Sequence, residues 1–238
     1  MDLTDTVAVV TGANRGLGRA LVAELLERGA PKVYALARRP DAVTPAPRVV
    51  VVPFDLLDQE SIEDAAAQAA DATLLINNAS TAAFSRPLEA DIAAVHDEMT
   101  TNYGGLFRTI RAFVPVIEAN GGGQIVNILT LLSLSSTPPM AGYSASKAAA
   151  HSLTQALRPE LADRGITVHG VYPGGIDTDM LAGIDAPKTP PADVAAGVID
   201  GVVAGEEDIF PDPNSKAMSE TWWSDPKAFE RAFSGVAA

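Results

Sequence analysis

Short apolar, β-branched runs recur along the chain and alternate with longer segments of helical spacing. The candidate strands are Val7–Thr11, Lys32–Ala37, Val49–Pro53, Thr73–Asn77, Gln124–Leu129, Thr167–Tyr172 and Asp208–Phe210. Most are continuously apolar, not alternating, which is the mark of strands covered on both faces in a parallel sheet. Helices are expected over Gly16–Arg28, Ile92–Ala119, Tyr143–Arg164 and Ala192–Ala204. In the first of these Leu17, Ala20, Leu21 and Leu25 share a face, and Gly29 is the stop signal. Such alternation with right-handed crossovers predicts an α/β fold, a doubly wound parallel sheet of about seven strands flanked by helices. Between the second and third strands stands ARRPDAVTPAPR, whose three prolines predict a loop or a single turn. The 238 residues read as one domain, with 179–190 as a substrate-side lid and 205–238 as a C-terminal segment.

Composition narrows the function. The net charge is −13, which argues against nucleic acid and against an anionic membrane surface. There is no cysteine, so disulfides, thiolate nucleophiles and cysteine-based zinc sites are excluded. His96 and His169 show no ligand spacing, His151 is expected on a helix surface, and no metal is expected. The N-terminus lacks a basic segment followed by a long apolar run, and no uninterrupted apolar stretch of about eighteen residues exists. A soluble, cytoplasmic protein is expected.

The first strand runs into TGANRGLG, a tight turn that opens a helix. Glycines at 12, 16 and 18 let a backbone approach a pyrophosphate, and the helix N-terminus supplies N–H groups and partial positive charge. A Rossmann-type dinucleotide site follows. The second strand ends in Arg38-Arg39, not in the acidic residue that would accept from the 2′-OH of NAD. Arg38 and Arg39 suit a 2′-phosphate, Arg15 can reach the same group, and NADP(H) is expected in preference to NAD(H).

With these motifs the chain resembles the short-chain dehydrogenase/reductase family in its compact, single-domain branch. Thr11–Gly18 is similar to TGxxxGxG, here with Asn14, Arg15 and Leu17 in the variable places. Asn77-Asn78-Ala79-Ser80 resembles NNAG, with Ser80 in place of the glycine. Tyr143 and Lys147 match YxxxK, and Pro173-Gly174-Gly175-Ile176-Asp177-Thr178 is similar to PGxxxT. The resemblance implies that Asp55 and Leu56 hold the adenine, that Asn78, Ala79, Pro173, Gly174, Ile176 and Thr178 contact the cofactor, and that Asn102 is the catalytic asparagine that holds a relay water.

The chemistry of YxxxK can be read from the residues themselves. Ketone reduction needs hydride at carbon and a proton for the developing alkoxide. On a helix, positions 143 and 147 share a face about 6 Å apart. An ammonium at that distance, at an effective dielectric of about 20, lowers a phenol by about two pKa units. Tyr143 is therefore expected to be the proton donor, with Lys147 tuning it and anchoring the ribose. A third group should orient the carbonyl. The family places a serine thirteen residues before the tyrosine, which here is Thr130. Ser133, ten residues before, is its rival.

Leu131, Leu132, Leu134, Met140, Gly174, Gly175 and Met180–Ile184 are expected to shape a mostly apolar pocket for an uncharged ketone or aldehyde. Trp222 and Trp223 could cover that pocket, pack on the sheet or meet another subunit. The small residues of the long helices, and the resemblance, imply a dimer or tetramer. The expected activity is NADPH-dependent, reversible carbonyl reduction. The alternative is a non-catalytic dinucleotide sensor.

Overall fold

A computed structural model describes residues 2–234. Seven parallel strands form one sheet in the order β3-β2-β1-β4-β5-β6-β7. They are β1 (Val7–Thr11), β2 (Lys32–Ala37), β3 (Val49–Pro53), β4 (Leu74–Asn77), β5 (Gly123–Ile128), β6 (Ile166–Val171) and β7 (Asp208–Ile209). The expected strands are all present, shifted by at most a residue at either end. β1, β4, β5 and β6 are almost wholly buried, whereas β3, at the sheet edge, leaves Val50 and Pro53 exposed. That is why Pro53 is tolerated in β3.

The helices are α1 (Gly16–Glu27), α2 (Gln59–Gln68), α3 (Ile92–Met99), α4 (Leu106–Ala119), α5 (Ala141–Ala162), α6 (Pro191–Ala204), α7 (Pro213–Ser224) and α8 (Pro226–Ser234). Successive strand residues feed opposite cores. Val9, Leu75, Ile125 and Val168 pack with α2, α4 and α5 on one face. Ala8, Val10, Ile76 and Val126 pack with Leu21 and Leu25 of α1 and Val198 of α6 on the other.

Two expectations are corrected here. The long helix expected over 92–119 is broken by a π-turn at Thr100–Gly105, which carries Asn102. Such turns concentrate at functional sites. The connection between β3 and β4 holds α2, which the sequence reading passes over. Its N-cap is Asp58, whose side chain accepts from Glu60 N, and only Ile62, Ala65 and Ala66 are buried. The join between β2 and β3 is a single 3-10 turn, Pro40–Ala42, as its prolines predict.

A buried polar chain ties the sheet centre to α5. Asn77 Nδ2 donates to Asn127 Oδ1 at 2.9 Å, and Asn127 Nδ2 donates to Thr154 Oγ1 at 3.0 Å. Asn127→Ala leaves Asn77 and Thr154 without these partners in a dry core. The expected cost is about 2 kcal/mol, read as a lower urea midpoint at unchanged slope.

Candidate active site

β1 and β4 are neighbours at the point where the strand order reverses, so a crevice opens beyond their C-terminal ends. Thr11 closes its floor. The Thr11 hydroxyl accepts from Asn78 N and Ala79 N, both at 3.0 Å, and Asn78 Nδ2 returns a hydrogen bond to Thr11 O at 2.9 Å. The glycine turn crosses above. Gly12 and Gly16 have φ of +69° and +52°, left-handed values that favour glycine. Gly18 has helical geometry, but a Cβ there would lie 2.1 Å from Gly12 O. Its role is close packing of α1 on the turn. Arg15, the N-cap of α1, makes no side-chain cap, so the first N–H groups of the helix stay available.

A cavity of about 920 Å³ fills the crevice and extends toward α7 and α8. Gly12, Asn14, Arg15, Gly16, Leu17 and Gly18 line one wall. Arg38, Arg39, Asp55 and Leu56 line its outer end, and Asn78 and Ala79 its floor. Pro173, Gly174, Ile176 and Thr178 face them, and Thr130, Tyr143 and Lys147 stand at the inner end. Ser80 also lines the cavity. Arg38 and Arg39 are exposed at the end of β2, and neither pairs with a described residue. Arg15 behaves differently. It forms an ion pair with Asp179 at 3.1 Å across the cavity mouth, with both side chains more than half exposed. Its charge is thus shared with the segment 179–190, where Asp179–Leu181 forms a 3-10 turn.

At the inner end Tyr143 and Lys147 lie on the first two turns of α5, both buried. Lys147 Nζ stands 5.8 Å from the Tyr143 ring centroid and donates to Ile128 O at 2.7 Å. Burial pushes the Lys147 ammonium down to about 8. Burial and the charge of Glu98 push the Tyr143 phenol above its ordinary value. This corrects the expected lowering: the desolvation of a buried phenol outweighs the attraction of the ammonium one turn away.

The two candidate hydroxyls have different places. Thr130 caps a 3-10 turn, Leu131–Ser133, accepting from Leu132 N at 3.2 Å while lining the cavity. Its Oγ1 lies 3.5 Å from Pro173 O, too long for a strong hydrogen bond, so a donor remains available. Ser133 is buried behind the cavity, where its Oγ accepts from Thr130 N at 3.1 Å. It holds the Thr130 main chain and does not line the cavity. Asn102 also lies behind the cavity wall. Its Oδ1 accepts from Thr81 N and its Nδ2 donates to Thr81 O, each at 2.8 Å, and Nδ2 also donates to Ser146 Oγ at 2.9 Å.

The terminal segment meets the cavity through Asn214, Ala232 and Phe233, not through the tryptophans. Trp222 packs edge-on against buried Phe229 at 5.4 Å, and Trp223 is exposed. Leu134 turns away from the cavity to a second depression beside Trp222. His151 is not a surface histidine: Nδ1 lies 2.8 Å from the Tyr172 hydroxyl. No group of metal-ligating side chains occurs among the described residues, and no described helix is long and apolar enough to cross a membrane.

Residues 6–189 match the family model described as short chain dehydrogenase. The chain belongs to the short-chain dehydrogenase family. An uncharacterised oxidoreductase of Staphylococcus aureus strain MW2 is 31% identical over 209 residues, covering 83% of this chain and 90% of that one. A short-chain dehydrogenase from Burkholderia cenocepacia J2315, solved in complex with NADP, superposes with a TM-score of 0.93 at 38% identity, covering 98% of this chain and 99% of that one. A Burkholderia phymatum member solved with NAD shares the fold, with a TM-score of 0.85 at 21% identity and full coverage of both chains.

Against that family frame, several residues of this short-chain dehydrogenase escape sequence reasoning. Glu98 accepts from Ala83 N at 2.7 Å, and Asp212 accepts from Gly174 N at 2.9 Å. Each holds a cavity-lining loop from an element distant in sequence. Only the Asp212-Pro213 start of α7 carries a local signal, an N-cap followed by proline at the first helical position.

The buried ammonium has a measurable consequence. In the unfolded chain a lysine titrates near its ordinary value of about 10.4, whereas folded Lys147 titrates at about 8. Between these values the unfolded state binds more protons, so stability rises with pH from about 8 to about 10. Above that the raised phenols of Tyr143 and Tyr172 reverse the slope. Denaturant titration is expected to show a gain on the order of 2 kcal/mol across the window, and Lys147→Met to remove it. Equal slopes in both proteins would show that Lys147 is not held as a desolvated cation.

Proposed function

We propose that this protein is an NADP(H)-dependent carbonyl reductase, reversible as an alcohol dehydrogenase, acting on an uncharged, fairly hydrophobic ketone or aldehyde. One observation carries the reading. A single cavity joins a glycine turn and two unpaired arginines at one end to a buried Tyr143, Lys147 and Thr130 at the other. The donor set fits a dinucleotide: free N–H groups at the start of α1, guanidinium forks for a 2′-phosphate, and neutral floor amides. The NADP found in the Burkholderia cenocepacia relative supports the same choice.

A bound nicotinamide supplies the hydride to the carbonyl carbon. The chain supplies the rest. Thr130 donates to the carbonyl oxygen and fixes its direction. Tyr143, protonated at neutral pH as any phenol is and held further that way by burial, gives its proton to the developing alkoxide. The Lys147 ammonium stabilises the phenolate left behind by about 3 kcal/mol at an effective dielectric of about 20, with its position fixed by Ile128 O. Lys147 also presents N–H groups to ribose hydroxyls. Leu132, Met140, Met180, Leu181, Ile184 and Phe233 surround the substrate end, and Lys147 is the only cation among the described residues there. An uncharged substrate suits those walls.

The exposed apolar side chains of Ile92 on α3 and Phe107 on α4, the latter stacked on half-buried Tyr103 of the π-turn, support self-association through the long helices, as a dimer or tetramer.

With a ketone panel, NADPH consumption is expected for the wild type, a loss of at least about 100-fold in kcat for Tyr143→Phe, and a lower kcat at unchanged NADPH affinity for Thr130→Ala. Arg38→Ala with Arg39→Ala is expected to weaken NADPH at least about tenfold and leave NADH affinity unchanged. Equal loss for both cofactors would overturn the NADP(H) assignment, and a Tyr143→Phe enzyme as active as the wild type would overturn the reaction.

A further inference from the structure

Glu98 is a buried acid that the proposed chemistry does not use. It sits on α3 one helical turn before Asn102 and is only 2% exposed. Its Oε1 accepts from Ala83 N at 2.7 Å. Its Oε2 lies against Gly142, so close that a Cβ on that glycine would be 2.2 Å away. Gly142 precedes Tyr143 in the first turn of α5, and the N-cap of that helix makes no side-chain hydrogen bond. The carboxylate therefore rests at the positive end of the helix that carries Tyr143 and Lys147. No cation among the described residues forms an ion pair with it, and burial pushes it above its ordinary value. A buried carboxylate without a counter-ion is costly, and sites where such a cost is retained are candidates for function.

The strap it holds is part of the cavity. Thr81 and Phe84 line the wall on either side of Ala83, and Asn102 pins Thr81 from the same side. Glu98 and Asn102, at i and i+4, thus form a two-point clamp on the segment after β4.

We propose that Glu98 is a positioning residue for the active site: it clamps the Thr81–Phe84 strap to the first turn of α5 and holds a negative charge beside Tyr143. This rests on the proposed role of Tyr143 as proton donor. Two charged groups then face the phenol, Lys147 from its own helix and Glu98 from α3. Toward Glu98 itself, α5 presents Gly142 and Tyr143, and the strap presents the Ala83 N–H. Its neighbours His96 and Asp97 are exposed, and Asp97 presents a further carboxylate to the cavity itself. The ammonium favours the phenolate and the carboxylate opposes it. Their balance sets the pH at which Tyr143 exchanges its proton.

The sign of the effect can be worked through. Carbonyl reduction needs protonated Tyr143, so its rate falls as pH rises through the effective phenol value. Removing the carboxylate charge makes phenolate easier to form and moves that alkaline limb to lower pH. Alcohol oxidation needs the phenolate, and its acid limb moves in the same direction.

The test is the pH profile of kcat/KM in both directions for Glu98→Gln, whose amide oxygen still accepts from Ala83 N. The expected result is a displacement of both limbs by about half to one pH unit toward acid. Profiles that superimpose on the wild type would overturn the proposal and leave Tyr143 chemistry standing. Should Glu98→Gln fold poorly, Glu98→Asp keeps the charge and shortens the reach to Ala83. Its expected signature is a raised KM with unmoved limbs, and moved limbs would overturn the proposal. A wild type without Tyr143-dependent turnover would sink the reaction and this inference together.

Discussion

The hydrogen bond from Lys147 Nζ to the main-chain oxygen of Ile128 fixes the geometry on which everything else at this site depends. It spans from the second turn of α5 to the last residue of β5, two residues before Thr130. A lysine free to extend toward solvent would leave Tyr143 without a fixed charge and α5 without its register on the sheet. With the bond made, the phenol and the ammonium are set by a helix docked on the sheet, and the threonine hydroxyl by the 3-10 turn it caps just beyond β5. The Asn77–Asn127–Thr154 chain carries the same alignment deeper into the sheet, so the inner end of the cavity is built on main-chain pairing between β4, β5 and β6.

The outer end works by a different balance. A protein of net charge −13 repels anions at long range, yet a dinucleotide carries several negative charges. Local donors must therefore prevail over the global field. Arg38 and Arg39 stand at the outer end of the cavity without a partner among the described residues, while Arg15 already has Asp179. An exposed pair of that kind contributes little stability, so Arg15 can leave it for a phosphate at small cost. The ion pair makes one bridge between the glycine turn and the segment after Thr178, two walls of the same cleft.

The sheet was legible because buried parallel strands write themselves as apolar runs with few alternatives, and the cofactor crevice because Gly12, Gly16 and Gly18 answer to backbone needs that are local. α2 escaped because a helix resting on an edge of the sheet buries only Ile62, Ala65 and Ala66, too few for a periodic signal, although Asp58 marks its start. The π-turn escaped because an extra residue in a helix shifts the pattern without breaking it. Thr130 could be counted back from Tyr143, but the reciprocal cap that joins it to Ser133 is a contact made only by the folded turn. Glu98 could not be found at all, and Asp212 could be read only as the start of a helix, not as the acceptor of Gly174 N. Each acts on a backbone N–H that the chain brings near only after folding, and acidic residues in helices are usually solvated.

The phenol shows where pairwise reasoning fails. Spacing along a helix gives the distance from ammonium to ring, and Coulomb's law then gives a lowering of the phenol. The same burial that strengthens this attraction also removes the water that would solvate either ion. For Lys147 and Tyr143 the second effect is the larger, and it moves both groups toward their neutral forms. A phenol that stays protonated at rest is a ready donor, and an ammonium near neutrality can release its proton in turn. The desolvation that upsets the pairwise estimate thus brings the lysine into the working pH range and leaves the tyrosine above it, held ready by surroundings that open toward the substrate on one side only.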